Sequence, residues 1–162
     1  MKKILLALNK ALLFACISMF FGTGWSLILF SFPIAPKLTP DNYYLEFVPQ
    51  VSGAVHFFTY MTMVITVCCI IFIIEKLRSP LKWFPIITLL LTIATTALTL
   101  IYIIPYNRAM ESGIKDNIEL HRVLTKWMDL NYLRVGIWTG MWLSIMIYYT
   151  YLAVQSYKYS NS

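Results

Sequence analysis

The chain is short of charge. Only 12% of its 162 residues are Asp, Glu, Lys or Arg, against ~25% in an ordinary soluble domain. A surface so poor in ionised groups does not belong to a water-solvated globule. Glycine and cysteine are scarce as well, at six and three residues. No glycine-rich phosphate loop, H-E-x-x-H helix or G-x-S-x-G elbow occurs, which removes the common nucleotide-binding, zinc-protease and serine-hydrolase classes. Cys16, Cys68 and Cys69 all lie in apolar runs without a C-x-x-C, so no thiol relay or cysteine-ligated zinc site is expected. They read as buried small hydrophobes. No internal period of roughly 20–50 residues is present, which argues against a solenoid and against a single-chain transporter built from repeats.

What fills the sequence instead is apolar. Hydrophobic residues make up 59% of the chain and the mean hydropathy is +0.70. They fall in four blocks, about 11–32, 51–74, 83–104 and 132–154. Each has the roughly 20 residues that a helix needs to cross a bilayer core. The expected fold is therefore all-α: one domain, residues 1–162, forming an antiparallel four-helix membrane bundle. Lys2 and Lys3 before the first apolar run imitate a signal peptide. That run extends to Phe32 without a small-x-small cleavage site, so a retained anchor is expected.

The net charge of +6 is read as contact with lipid headgroups, not nucleic acid. The N-terminal piece, the 75–82 hinge and the tail carry seven basic residues and one acid, Glu75, in short segments. The other side carries six basic and six acidic residues over much longer loops. Basic density puts both termini in the cytoplasm, and a multi-pass protein of a bacterial inner membrane is expected.

Helical spacing then assigns faces. Thr88, Thr92, Thr95 and Thr99 make one stripe on the third span, either a packing face or the wall of a polar cavity. Ser18, Gly22 and Ser26 on the first span, and Gly136, Gly140 and Ser144 on the fourth, form small-residue ridges suited to close helix approach. On the second span Ser52, His56, Thr59, Met63 and Thr66 share a side. An intramembrane histidine is costly unless paired, so His56 is a candidate. Residues 114–129 read as an interfacial amphipathic helix between spans three and four, lying flat or capping the bundle. Lys115, Glu119, Arg122, Lys126 and Asp129 form its charged face; Ile114, Ile118, Leu124 and Met128 lie largely opposite, with His121 among the apolar residues.

The group that most needs an explanation is Arg134, one turn into the last span, on a face with Trp138 and Met141. Either it snorkels to headgroups, or it faces the interior. There its partners would be Asn107, Asn131, Asp129, Glu46 or an anionic or carbonyl-bearing ligand. A guanidinium offers five donors in a fixed plane and holds a carboxylate, phenolate or enolate firmly.

The second half has a recurring look. A proline and an asparagine end the third span in "IPYNRAM", a tryptophan follows in "LTKWMDLN", and an arginine opens the fourth span in "NYLRVGIWTG". This P-x-N … W … N-x-x-R arrangement resembles the anthrone-oxygenase-like family of small four-span membrane proteins, over about residues 100–155. The first half agrees only in span count and in the "FPIAPKL" exit from the first span. By position, Asn107, Trp127, Asn131 and Arg134 match the family pattern. The resemblance implies oxidation of an enolisable aromatic substrate with no metal or organic cofactor.

Such chemistry needs a base, an anion site and a flat binding surface. His56 suits the base, Arg134 and Asn107 the anion, and Trp127 and Trp138 the aromatic surface; His121 and Asn131 complete the expected outer-half pocket. Two other readings stand beside it. His56 and His121 approaching one another would ligate haem or copper. A non-enzymatic lipid-binding or accessory subunit would use the same arginine and ridges. Expected partners are membrane lipid, a hydrophobic small molecule, and a second copy or another membrane subunit.

Overall fold

Proline placement explains much of the backbone. Pro33 and Pro105 each follow a long apolar helix, lack an N–H, and clash with the carbonyl four residues back. Just before each, the helix widens into a π-turn, Leu27–Ser31 and Thr99–Ile103. Phe32 N–H donates to Leu27 O at 3.0 Å, and Ile104 N–H to Thr99 O, both five residues back. The structure, a computed structural model, describes residues 1–160 apart from the side chains of Glu46, Tyr159 and Ser160.

Among the described residues all regular structure is helical. Helix α1 covers Lys2–Ser26, a four-residue α2 covers Tyr43–Glu46, and α3 covers Val48–Lys76. Helix α4, Trp83–Leu98, runs through its π-turn into α5, Ile104–Glu111, and α6 covers Asn117–Ser160. Four segments, Lys2–Ser31, Tyr43–Lys76, Pro80–Glu111 and Asn117–Lys158, are long and apolar enough to cross a membrane. The last three run past both limits that hydropathy alone assigns, and the first extends past its N-terminal limit only.

The largest departure from the sequence reading is at 114–129, which is not a separate helix lying flat. It is the opening of α6, which continues for 44 residues, about 66 Å at 1.5 Å per residue. The stop signal lies earlier than expected. Gly113, at φ 84°, makes the turn out of α5, a conformation open to glycine without a Cβ penalty. Asp116 Oδ2 then accepts the Glu119 N–H at 2.8 Å and starts the helix. No proline or glycine interrupts residues 117–135, so nothing breaks the helix. Leu120, Val123, Leu124 and Trp127 turn inward, while Ile118 is 80% exposed.

The four long segments pack in a ring: α1 against α3 and α6, and α4 against α3 and α6. Helices α3 and α6 face one another across it with little direct contact. One buried cluster fills the ring between Ile17, Phe20, Ile65, Phe72, Met141 and Tyr148. A second, at the far end, gathers Phe32, Tyr43, Phe47, Ile103, Leu120 and Trp127. Tyr43 ties this end together, accepting the Ile114 N–H and donating to Met110 O at 3.1 Å.

The close approach of α1 to α6 comes at Gly24, outside the expected ridge. A Cβ there would lie 2.8 Å from the Trp138 ring and 2.9 Å from Val135. Gly22 and Gly136 have nothing within 4 Å of such a Cβ.

Candidate functional site

Where α3 and α6 stand apart, the ring is hollow. A cavity of about 290 Å³ lies between α3, α6 and the α4–α5 segment. A second, of about 220 Å³, lies between α3, α6 and the end of α1. Their walls have six residues in common: Val51, Ala54 and Phe58 from α3, and Trp127, Arg134 and Trp138 from α6. Each π-turn contributes to one wall, Thr99, Leu100 and Ile103 to the first cavity, Leu27 and Ser31 to the second.

Arg134 is the charge in this space. Its guanidinium carbon lies 4.7 Å from the Trp138 ring centre and 6.0 Å from that of Phe58. Phe20 closes the cage behind them, 4.8 Å from Trp138 and 5.1 Å from Phe58 between ring centres. Among the described residues no acid pairs with Arg134, and its buried Nε has no hydrogen-bond partner. Asp129 is exposed, and the side chain of Glu46, weighed as a partner from the sequence, lies outside the described residues. Trp138 Nε1 and Thr95 Oγ1 are likewise buried without a partner.

The polar residues around Arg134 are chained through Trp127. The Trp127 Nε1–H donates to Asn107 Oδ1 at 2.7 Å, and Asn131 Nδ2 donates to Trp127 O at 2.7 Å. Asn107 lines the first cavity; Asn131 is fully buried behind the wall, with Oδ1 unpartnered. The tryptophan is thus held edge-on by an asparagine from α5, the helix that follows the Thr99–Ile103 π-turn.

The threonine stripe divides along its length. Thr88 and Thr92 are buried in packing, while Thr95, Thr96 and Thr99 line the first cavity. Thr96 donates to Thr92 O at 2.7 Å and Thr99 to Thr95 O at 2.8 Å. The Thr96 and Thr99 hydroxyls are spent on the backbone and offer a ligand little polarity, which leaves Thr95 Oγ1 as the unspent hydroxyl of this stripe.

Of the seven residues singled out from sequence, the structure brings Asn107, Trp127, Arg134 and Trp138 to one cavity, with Asn131 directly behind. The histidines lie elsewhere. His56 is exposed and His121 half-buried, and neither lines either of these two cavities. The inward stripe of α3 is Val51, Ala54, Phe58 and Thr62, with Thr59 and Met63 at the rim. That side is more apolar than the one the histidine marks. Among the described residues no group of three or more His, Cys, Asp or Glu is placed to hold a metal ion. Phe58 and Gly24 escaped the sequence reading because neither residue type carries a polar signal; the prolines behind the two π-turns were the available clue.

Comparison with known protein families, characterised proteins and solved structures finds no match to this chain.

Proposed function

We propose that this is a multi-pass membrane protein, an antiparallel four-helix bundle that binds an apolar, anion-headed small molecule on Arg134. Insertion is supported by the four long apolar helices. A common side for the two termini is supported at the opposite end of the ring from Arg134. There Lys10 Nζ bonds Glu75 Oε1 at 2.9 Å, Lys76 joins at 3.1 Å, and Phe14 packs on Tyr149 at 5.6 Å. The dense basic residues of that end favour the cytoplasm. At about 66 Å, α6 is far longer than a bilayer core of about 30 Å, which fits its charged opening turns standing outside.

The observation that carries the binding role is the unpaired cation in an aromatic cage. Two ring contacts return about 0.5–2 kcal/mol each. Removing a guanidinium from water costs several kcal/mol, so the rings alone leave a deficit. An anionic or strongly carbonyl-bearing ligand group removes it, and the near-apolar walls suit the rest of such a molecule. Among the described residues the lining holds no imidazole, carboxylate or lysine. This favours binding over an acid–base reaction driven by the protein. An oxygenase built on the same cavity would have to receive its substrate already ionised.

The test is retention of ligand. Protein purified in mild detergent should carry an anionic apolar molecule, detected by native mass spectrometry and solvent extraction. Arg134→Gln should lose it while keeping helix content and elution volume. Equal retention by Arg134→Gln would overturn the reading.

A further inference from the structure

The two cavities meet on one charge. Resting on the anion-binding reading above, we propose that the ligand has two apolar arms joined at one compact anionic head, as in a two-chain anionic lipid. The head sits on Arg134, and the arms leave on opposite sides of α3.

The geometry is that of a fork. Val51, Ala54 and Phe58 lie on the inner face of α3 and line both cavities, so α3 stands between the two mouths. Arg134 and Trp138 face them from α6 and also line both. On one side the cavity reaches exposed Thr59, Met63 and Leu100. On the other it reaches exposed Thr23, Ser26 and Gln50. Each mouth therefore opens laterally between helices, where bilayer chains lie in a membrane-embedded protein.

A single-armed anion leaves half of this arrangement unused. It would satisfy Arg134 from either cavity and leave the other unfilled, forfeiting dispersion contacts along its lining. A two-armed molecule fills both from one head. The two volumes, about 290 and 220 Å³, are similar enough to take comparable chains, each extending past its mouth into lipid. The π-turns fit the same account. Each widens its helix on one cavity wall only, at Thr99–Ile103 for the first and Leu27–Ser31 for the second.

The experiment blocks each arm separately. Thr99→Phe fills the first cavity and Ser26→Phe the second; Thr62→Phe and Ser31→Phe are their replacements if either fails to fold by circular dichroism and gel filtration. Binding of dioleoyl phosphatidic acid and of oleate is titrated by native mass spectrometry of detergent-purified protein. Both blocks should weaken phosphatidic acid by about tenfold or more, since each displaces several methylenes. At most one block should weaken oleate. If either block leaves phosphatidic acid untouched, or both weaken oleate equally, the forked ligand is wrong while anion binding stands. If wild-type protein binds neither anion, or Arg134→Gln binds both as well as wild type, the anion-binding reading itself fails.

Discussion

The guanidinium of Arg134 lies 4.7 Å above the ring of Trp138, one helical turn further along α6. The arginine is thereby kept over an aromatic face and directed into the hollow of the ring. Trp138 is itself fixed from behind by Phe20 and Phe58 and from the side by Gly24. The position of the charge is thus a packing consequence of three other helical residues.

The first prediction separates binding from stability. Arg134 has no acid partner among the described residues, so its burial is a net cost in the empty protein. Arg134→Met keeps a long flexible side chain and removes the charge. Ligand-free Arg134→Met should be more stable than wild type by about 1 kcal/mol or more, the loss of ring contacts being the smaller effect. Thermal unfolding in detergent after ligand removal measures it. A clear drop in stability would mean that the arginine serves the fold. Arg134→Lys should bind the anion more weakly than wild type, because a planar fork is replaced by a point charge.

The second prediction concerns Gly24. A methyl group there meets Trp138 at 2.8 Å and Val135 at 2.9 Å, so α1 and α6 must part or the ring must turn. Gly24→Ala should lower stability by about 1–3 kcal/mol and shift tryptophan fluorescence. Gly22→Ala meets open space and should change stability by less than about 0.5 kcal/mol. Equal effects from the two would remove Gly24 as the close-approach point.

The third prediction concerns the histidines. Neither His56 nor His121 lines either of the two cavities around Arg134. His56→Ala and His121→Ala should therefore leave ligand occupancy within about twofold of wild type, below 0.5 kcal/mol on the affinity scale. If aerobic turnover of an enolisable phenol is found, both variants should retain it. Loss of turnover in His56→Ala would restore the histidine as a base and demand a different conformation of α3.

Sequence reached the helices and the charge, and missed the shape of the space between them. Four apolar blocks and the inward placement of Arg134 follow from hydropathy and the cost of a lone cation. The Asn107–Trp127 bond at 2.7 Å joins two residues that were singled out but not paired. What stayed hidden depends on rotation and separation of helices. A polar stripe through His56 looked like the inner face of α3, yet Phe58 and Ala54 turn inward because the ring's interior is apolar. The continuity of α6 through residue 129 was missed because charge alternation resembled a surface helix, although no breaker residue follows it. Gly24 falls between the members of the three-residue ridge Ser18, Gly22 and Ser26, whose regular spacing gives the stronger signal.

The last prediction follows from Tyr43, whose hydroxyl both accepts the Ile114 N–H and donates to Met110 O at 3.1 Å. It is 1% exposed, so water cannot readily replace either bond. Tyr43→Phe keeps the ring, strands the Ile114 amide and leaves Met110 O with the Gly113 N–H at 3.3 Å, at a cost of about 1–3 kcal/mol. The effect should be local, because Tyr43 belongs to the far cluster with Phe47 and Trp127 and lines neither of the two cavities itself. Hydrogen exchange at the Ile114 amide should accelerate while the interior of α4 stays protected. Trp127 lines both cavities and packs on Phe47 at 4.9 Å, so loosening this cluster should speed ligand release more than it alters which anions bind. A Tyr43→Phe protein with unchanged exchange at Ile114 and unchanged release would show that this hydroxyl does not hold the end of the ring closed.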